Sequence, residues 1–270
     1  MDIIYKTQNY EHLNWNDKSR FSSGTAGCFL KTYEHDGSKR IYYKLSNYDS
    51  YRGIFGHESV NELIASRLLE RLNIEHVVYR LINADIIVDG KKHNAWICSS
   101  NNFKKSDEQK TGLDTFYDIS REENESPEEF CSRMGWNTYI YKMMVADFLM
   151  CNRDRHGANI EVLLDSKGNV RLAPLFDHGI SFLFSCYSDE KQIREFDVLK
   201  DRPVNNYLYT RSLQENLKYI PKDLDIPILT ENDIDLILKG LNRIIPDYHV
   251  EQIRKMIWER WKVYEQIRNS

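Results

Sequence analysis

The chain is predicted to be an α+β protein in two parts, β-rich to about residue 100 and mainly helical beyond it. Three observations carry this. Strand-like runs separated by Gly-containing turns fill the first hundred residues, with one helical repeat among them. From Ser126 onward, apolar residues recur instead at helical spacing. The 270 residues are 41% apolar, 12% aromatic and 29% charged, which suits a compact chain with a substantial core and excludes wholesale disorder.

Between Arg20 and Ser46 a Ser/Gly turn precedes strand-like Cys28 to Tyr33, an Asp36-Gly37 hairpin signal and a strand over Ile41 to Ser46. Val60, Leu63, Ile64, Leu68 and Leu72 then lie on one helical face, so a helix is predicted from Glu58 to about Asn73. β-branched residues return over His76 to Leu81 and Ile86 to Val88, and Asp89-Gly90 turns the chain into a strand over Asn94 to Cys98. The polar, aperiodic stretch Ser99 to Lys110 reads as the connector.

Ser126-Pro127-Glu128-Glu129 combines an N-cap serine, proline at the first helical position and glutamate three residues past the cap. Trp136, Ile140, Met143, Met144 and Phe148 continue a helical stripe after Gly135. Two amphipathic helices should close the chain. Ile234, Ile237, Leu238, Leu241 and Ile245 mark one, capped by Thr230; Val250, Ile253, Ile257, Trp258, Trp261 and Tyr264 mark the other, started by Pro246. The two tryptophans share that apolar face and read as core.

Lys plus Arg number 37 against 41 Asp plus Glu, a net charge of −4. That balance offers no basic footprint for nucleic acid, and no direct nucleic-acid binding is expected. Cys28, Cys98, Cys131, Cys151 and Cys186 are odd in number and lack the paired spacing of zinc ligands, which suits a reducing cytoplasm. The N-terminus lacks a secretory apolar core, and no stretch approaches the roughly 20 apolar residues of a membrane span.

The residues that carry chemistry lie in two segments. In Asn152-Arg153-Asp154-Arg155-His156-Gly157-Ala158-Asn159, Asn159 follows Asp154 by five positions. Such a loop can aim a carboxylate at a hydroxyl while Asn159 offers an oxygen to magnesium, the division of labour that phosphoryl transfer requires. Downstream, Leu172-Ala173-Pro174-Leu175-Phe176-Asp177 places a second carboxylate at the end of an apolar strand, suited to a hard cation. Any one of these residues alone is an ordinary turn residue. Their order, each leaving an apolar element, gives the pattern its weight.

The β-rich part supplies companions. Ser22-Ser23-Gly24-Thr25-Ala26-Gly27 lets backbone N–H groups approach phosphate oxygens, although hairpin turns use the same letters. Lys44 lies on the following strand, where it can act as a point charge on phosphates. Glu62 and Glu58, one turn apart on the helix, are its two candidate partners. Asp147, inside an apolar run, either braces the loop through backbone N–H groups or Arg155, or faces solvent. His156 is expected to orient the loop through its ring nitrogens rather than to act as base.

Taken together, these segments resemble the HipA-type serine/threonine kinases, toxin components of bacterial toxin–antitoxin systems. The resemblance runs from about Ser22 to Asp177 and rests on Asn152-x-Asp154-x-His156-x-x-Asn159, Leu172-x-Pro174-x-x-Asp177, Asn61-Glu62 and Lys44. It implies a bilobal protein-kinase-like fold, with a small antiparallel β-sheet N-lobe over 1–100 and a mainly helical C-lobe over 101–270. It implies ATP and Mg2+ as cofactors and a protein Ser/Thr acceptor as substrate. Asp154 would be the catalytic base, with His156 beside it, and Asn159 and Asp177 the metal ligands. Lys44, steadied by Glu62, would contact the ATP phosphates, covered by Ser23, Gly24, Thr25, Ala26 and Gly27. Ile97-Cys98-Ser99-Ser100 would form the hinge against adenine, and Ser22 or Ser23 would be candidates for regulatory autophosphorylation.

The family also implies an antitoxin-type DNA-binding partner protein. Full-length members dock it with an extra N-terminal subdomain, whereas this chain begins almost directly at the phosphate loop, so a complex of the usual shape is not expected. The Asp154-Arg155-His156-x-x-Asn159-Ile160 string is also similar to the catalytic loop of phosphoinositide kinases, with Asp177-His178-Gly179 resembling their metal-binding turn, and this is the alternative on substrate. The net charge of −4 argues against a membrane-facing enzyme. A kinase-like scaffold without catalysis is a third reading, disfavoured by the joint presence of Lys44, Asp154, Asn159 and Asp177.

Overall fold

The computed structural model describes residues 2–15, 29–37 and 39–270. In chain order its strands and helices are β1 (Ile3–Asn9), β2 (Lys31–Asp36), β3 (Lys39–Leu45), β4 (Tyr48–Asp49), β5 (Gly53–Ile54), α1 (Glu58–Arg71), β6 (Tyr79–Val88), β7 (Lys91–Asn101), β8 (Gln109–Gly112), α2 (Leu113–Ser120), α3 (Pro127–Arg133) and α4 (Asn137–Met150). There follow β9 (Asp154–Arg155), β10 (Glu161–Leu164), β11 (Val170–Leu172), α5 (Glu190–Arg194), β12 (Asn205–Asn206), α6 (Leu213–Asn216), α7 (Glu231–Leu238) and α8 (Asp247–Asn269). The architecture is α+β, a sheet-rich first part and a mainly helical second one.

The principal sheet has the order β1-β6-β7-β3-β2. It is mixed rather than wholly antiparallel, because β1 adds to its edge parallel to β6, with an irregularity between Ile4 and Gln8. The sequence hides this strand: among Ile3–Asn9 only Ile3 is fully buried, and the polar residues that follow it show no clean alternation. Elsewhere the period of two is strict. Leu81 and Cys98 face α1, while Ile82, Ala84, Ile86 and Ile97 face the second apolar cluster with Leu13, Trp15 and Leu45.

Two β-branched runs expected as separate strands form the single strand β6, which turns into β7 through Asp89 and Gly90, both at positive φ. β7 continues through Asn101 and β8 begins at Gln109, so the connector is shorter than its polar composition suggests and spans 102–108. Glu108 anchors it through a two-pronged pair with Arg171, at 2.8 and 3.0 Å.

α1 is buried on every side over 58–66, including Glu58, Ser59, Asn61 and Glu62. It stops where Asn73 turns left-handed, at φ 52°. α3 starts on the capping box read from Ser126 and Glu129, and α7 on a second one at Thr230 and Asp233. The stripe from Ile234 to Ile245 is not one helix. α7 ends at Leu238 because Gly240, at φ 83°, turns the chain and its carbonyl accepts from Tyr5 Oη at 2.9 Å. Pro246 immediately precedes α8, whose first helical residue is Asp247. Among the described residues no helix is long and apolar enough to cross a membrane.

Candidate active site

Three distant parts of the chain meet at Lys44. On β3, Tyr43 and Leu45 point into the apolar cluster on the far side of the sheet, so the pleat sends Lys44 toward α1. Its Nζ donates to Glu62 Oε1 at 2.5 Å and to Asp177 Oδ1 at 2.8 Å. Burial opposes its charge, but the carboxylates of Asp177 and Glu62 outweigh that cost and raise its pKa well above the ordinary lysine value. Burial would likewise raise Asp177, yet Lys44 and Lys31, whose Nζ lies 3.7 Å from Oδ2, hold its carboxyl far below the usual range. A charged ammonium and an ionised carboxylate thus stand in direct contact.

The choice between the two glutamates is settled by helix position. Glu62 turns its side chain to Lys44 with one oxygen and accepts from the His178 backbone N–H at 3.0 Å with the other. Glu58 instead accepts from Asn47 N at 3.2 Å, and burial raises its pKa. Asn61, beside Glu62, donates to the carbonyls of Gly179 at 2.8 Å and Ser181 at 3.1 Å, which fixes the backbone just after Asp177. Asp177 itself adopts φ 63°, a conformation Asp tolerates better than most side chains. His178 is buried, and its pKa is driven well below normal by burial and then by Arg155 and Lys44, so the imidazole is neutral.

The loop after α4 is organised by Arg155. The helix ends with Cys151 left-handed at φ 52°, and Asn152 N returns to Asp147 O at 2.9 Å. Asp147 is buried and takes two bonds from Arg155, both 2.9 Å, and one from Asn152 Nδ2 at 2.8 Å. It braces the loop through Arg155, the first of the two readings its sequence position leaves open. Arg155 also donates through one terminal nitrogen to the carbonyls of Asn159 at 3.1 Å and Phe176 at 3.3 Å. One guanidinium therefore ties the backbone of Asn159 to that of the residue preceding Asp177. Gly157 permits this packing, because a Cβ there would fall 2.5 Å from Asp114 Cβ on α2.

Asn159 Nδ2 donates to Asp154 O at 3.0 Å, which leaves its amide oxygen for another partner. This oxygen and the Asp177 carboxylate are both hard donors, a chemistry that suits magnesium rather than zinc. Among the described residues no group of three His, Cys, Asp or Glu side chains is arranged to hold a metal. Asp154 is partly exposed and accepts from Asn205 Nδ2 at 3.0 Å.

Two expectations change, and a third falls outside the described residues. His156 was to hold the loop through both ring nitrogens, but its Nε2 is buried without a hydrogen-bond partner among the described residues and lies 3.7 Å from Asp154 Oδ2. Arg155 does the holding. Ile97–Ser100 do not form a hinge: they lie within β7, with Cys98 in register with Lys44 and Leu81, as the ladder continues to Asn101. Burial pushes the Cys98 thiol up to about 12, and the side chain walls the lysine beside Tyr79, whose ring centroid is 5.3 Å from Nζ. Finally, Ser22, Ser23, Gly24, Thr25, Ala26 and Gly27 lie outside the described residues. Asn152, His178 and Asn205 were not foreseen as site residues. Asn152 sits inside the recognised motif, but the pairing of Asn205 crosses 51 positions and leaves no local pattern.

No protein-family model matches the sequence, and no curated protein is significantly similar to it. Among solved structures, the proinflammatory kinase CtkA of Helicobacter pylori aligns with a TM-score of 0.62 and 16% identity, covering 97% of this chain and 98% of that one. The two share a fold. The HipA of Shewanella oneidensis MR-1, solved in a toxin–antitoxin complex with HipB and operator DNA, aligns with a TM-score of 0.39 and 11% identity over 92% of this chain and 58% of that one.

Proposed function

We propose that the chain is an ATP- and magnesium-dependent kinase that transfers the γ-phosphoryl group to a serine or threonine hydroxyl of a protein. The observation that carries this is Lys44 Nζ bonded at once to Glu62 and Asp177, two carboxylates reached from different parts of the fold. A lysine held by a helical glutamate, beside a cation-binding aspartate, is the arrangement phosphoryl transfer uses to place a nucleotide. The fold shared with a kinase supports the same reading.

In this reading Lys44 contacts the phosphates as a point charge. Asn159 and Asp177 would hold magnesium, which when bound neutralises charge on the phosphate oxygens. Asp154 orients the acceptor hydroxyl and takes its proton, while Arg155 and Asp147 keep the loop in place. Cys98 and Tyr79 exclude water behind the lysine, which strengthens its attraction for phosphate.

The test is incubation of the purified chain with radiolabelled ATP and magnesium, in the presence of casein or of phosphoinositide vesicles, followed by phosphoamino-acid analysis. Label on serine or threonine is the expected result. Label confined to the lipid would identify a phosphoinositide kinase instead, and no nucleotide binding at all would leave a scaffold.

A further inference from the structure

We infer that Asn205 is a positioning residue for Asp154; the inference rests on the kinase reading and deepens it. β12 lies parallel to β9, with Asn205 opposite Asp154 in register. The pairing grips the backbone on both sides of the aspartate: Asn205 N donates to Arg153 O at 2.9 Å, and Tyr207 N donates to Arg155 O at 2.9 Å. From this position the Asn205 amide donates to Asp154 Oδ1 at 3.0 Å.

The strand that presents Asn205 is itself well fixed. Val204 and Leu208 are each 4% exposed, so apolar anchors flank the polar pair. Val204 N donates to Arg211 O at 3.0 Å, and Asn206 Nδ2 donates to Thr210 O at 3.1 Å. Thr210 is in turn fixed by Asn216 Oδ1, which accepts from its backbone N–H at 3.0 Å and its hydroxyl at 2.8 Å. Asn205 therefore stands on a rigid turn although its own side chain is exposed.

An aspartate carboxylate rotates freely about its last torsion unless something holds one oxygen. With Oδ1 held by Asn205, Oδ2 is the oxygen left to meet an incoming hydroxyl. The amide does this without adding a positive charge that would draw the phosphates of ATP away from Lys44. A base held this way spends more of its time in line with the acceptor, so the effect falls on the transfer step rather than on nucleotide binding.

The experiment compares wild type with Asn205→Ala and the isosteric Asn205→Asp, using radiolabelled ATP, magnesium and casein, with label on the chain itself as a second readout. Both variants are expected to lose about 10- to 100-fold in kcat with KM for ATP unchanged. Asn205→Asp should lose at least as much as Asn205→Ala, because it replaces a donor by a like charge while keeping the shape. Wild-type kcat in either variant, or a rise in KM for ATP that accounts for the whole loss, would overturn the role while leaving the kinase reading intact. A wild type that labels neither casein nor itself would overturn the kinase reading and this role with it.

Discussion

At the scale of single residues, the site depends on buried charges that are each paired more than once. Arg155 is the clearest case: it is 2% exposed and satisfies Asp147, Asn159 and Phe176 together. Removing one partner of a buried pair leaves the other uncompensated, which costs more than the pair contributes. Arg155→Ala should therefore lower unfolding free energy by about 3–5 kcal/mol in urea titrations. The double variant Asp147→Leu/Arg155→Met, which removes both charges, should be more stable than the single one. A single variant within about 1 kcal/mol of wild type would contradict this account of the loop. Asp154, Asn159 and Asp177 could be picked out in the sequence because their two motifs each leave an apolar element at a spacing that suits cation chemistry, and Lys44 because it stands between Tyr43 and Leu45 on a strand. Asn205 and His178 could not, since what places them is a pairing across the chain rather than their neighbours.

At the scale of elements, helix starts with capping boxes were readable to the residue at Ser126 and Thr230, and the long apolar stripe of α8 was equally plain. The break after α7 was not, because the partner of Gly240 is Tyr5 on the first strand. A second contact of this kind joins the start of α1 to α8. The rings of His57 and His249 pack edge to face with centroids 4.6 Å apart, and Ser188 lies 3.3 Å from His57 Nε2. Burial lowers the pKa of both, and burial together with His57 takes His249 from 6.5 down to about 3. A base whose folded pKa is depressed binds its proton first in the unfolded chain, so stability falls as pH drops through 6.5 toward 3. Relative to His249→Gln, the wild type should lose about 1.4 kcal/mol per pH unit in that window. Stability curves that run parallel between neutral and mildly acidic pH would show that the imidazole does not carry this dependence.

At the scale of the whole molecule, one apolar core runs from Ile3 on β1 through α1 into α4, α7 and α8. Polar ties follow the same route. Arg67 on α1 pairs with Asp2 at 2.6 and 3.0 Å and donates to the carbonyls of Ile237 and Lys239 beyond it. Sheet and helices should therefore melt together, in a single calorimetric transition. Two separable transitions would mean that the parts fold independently. The two-part α+β plan was visible in the switch from strand to helix periodicity. The parallel edge strand was not, because its burial comes from β6 and Gly240 rather than from its own pattern.

In the proposed kinase the Lys44–Asp177 cluster binds the nucleotide while Asp154 acts only in transfer. Calorimetric titration of magnesium-ATP alongside label transfer, for Asp154→Asn and Asp177→Ala, separates the two roles. Asp154→Asn should bind the nucleotide as wild type does and transfer almost no label, and Asp177→Ala should lose both. Transfer at the wild-type rate by Asp154→Asn, or undiminished nucleotide binding by Asp177→Ala, would contradict the account.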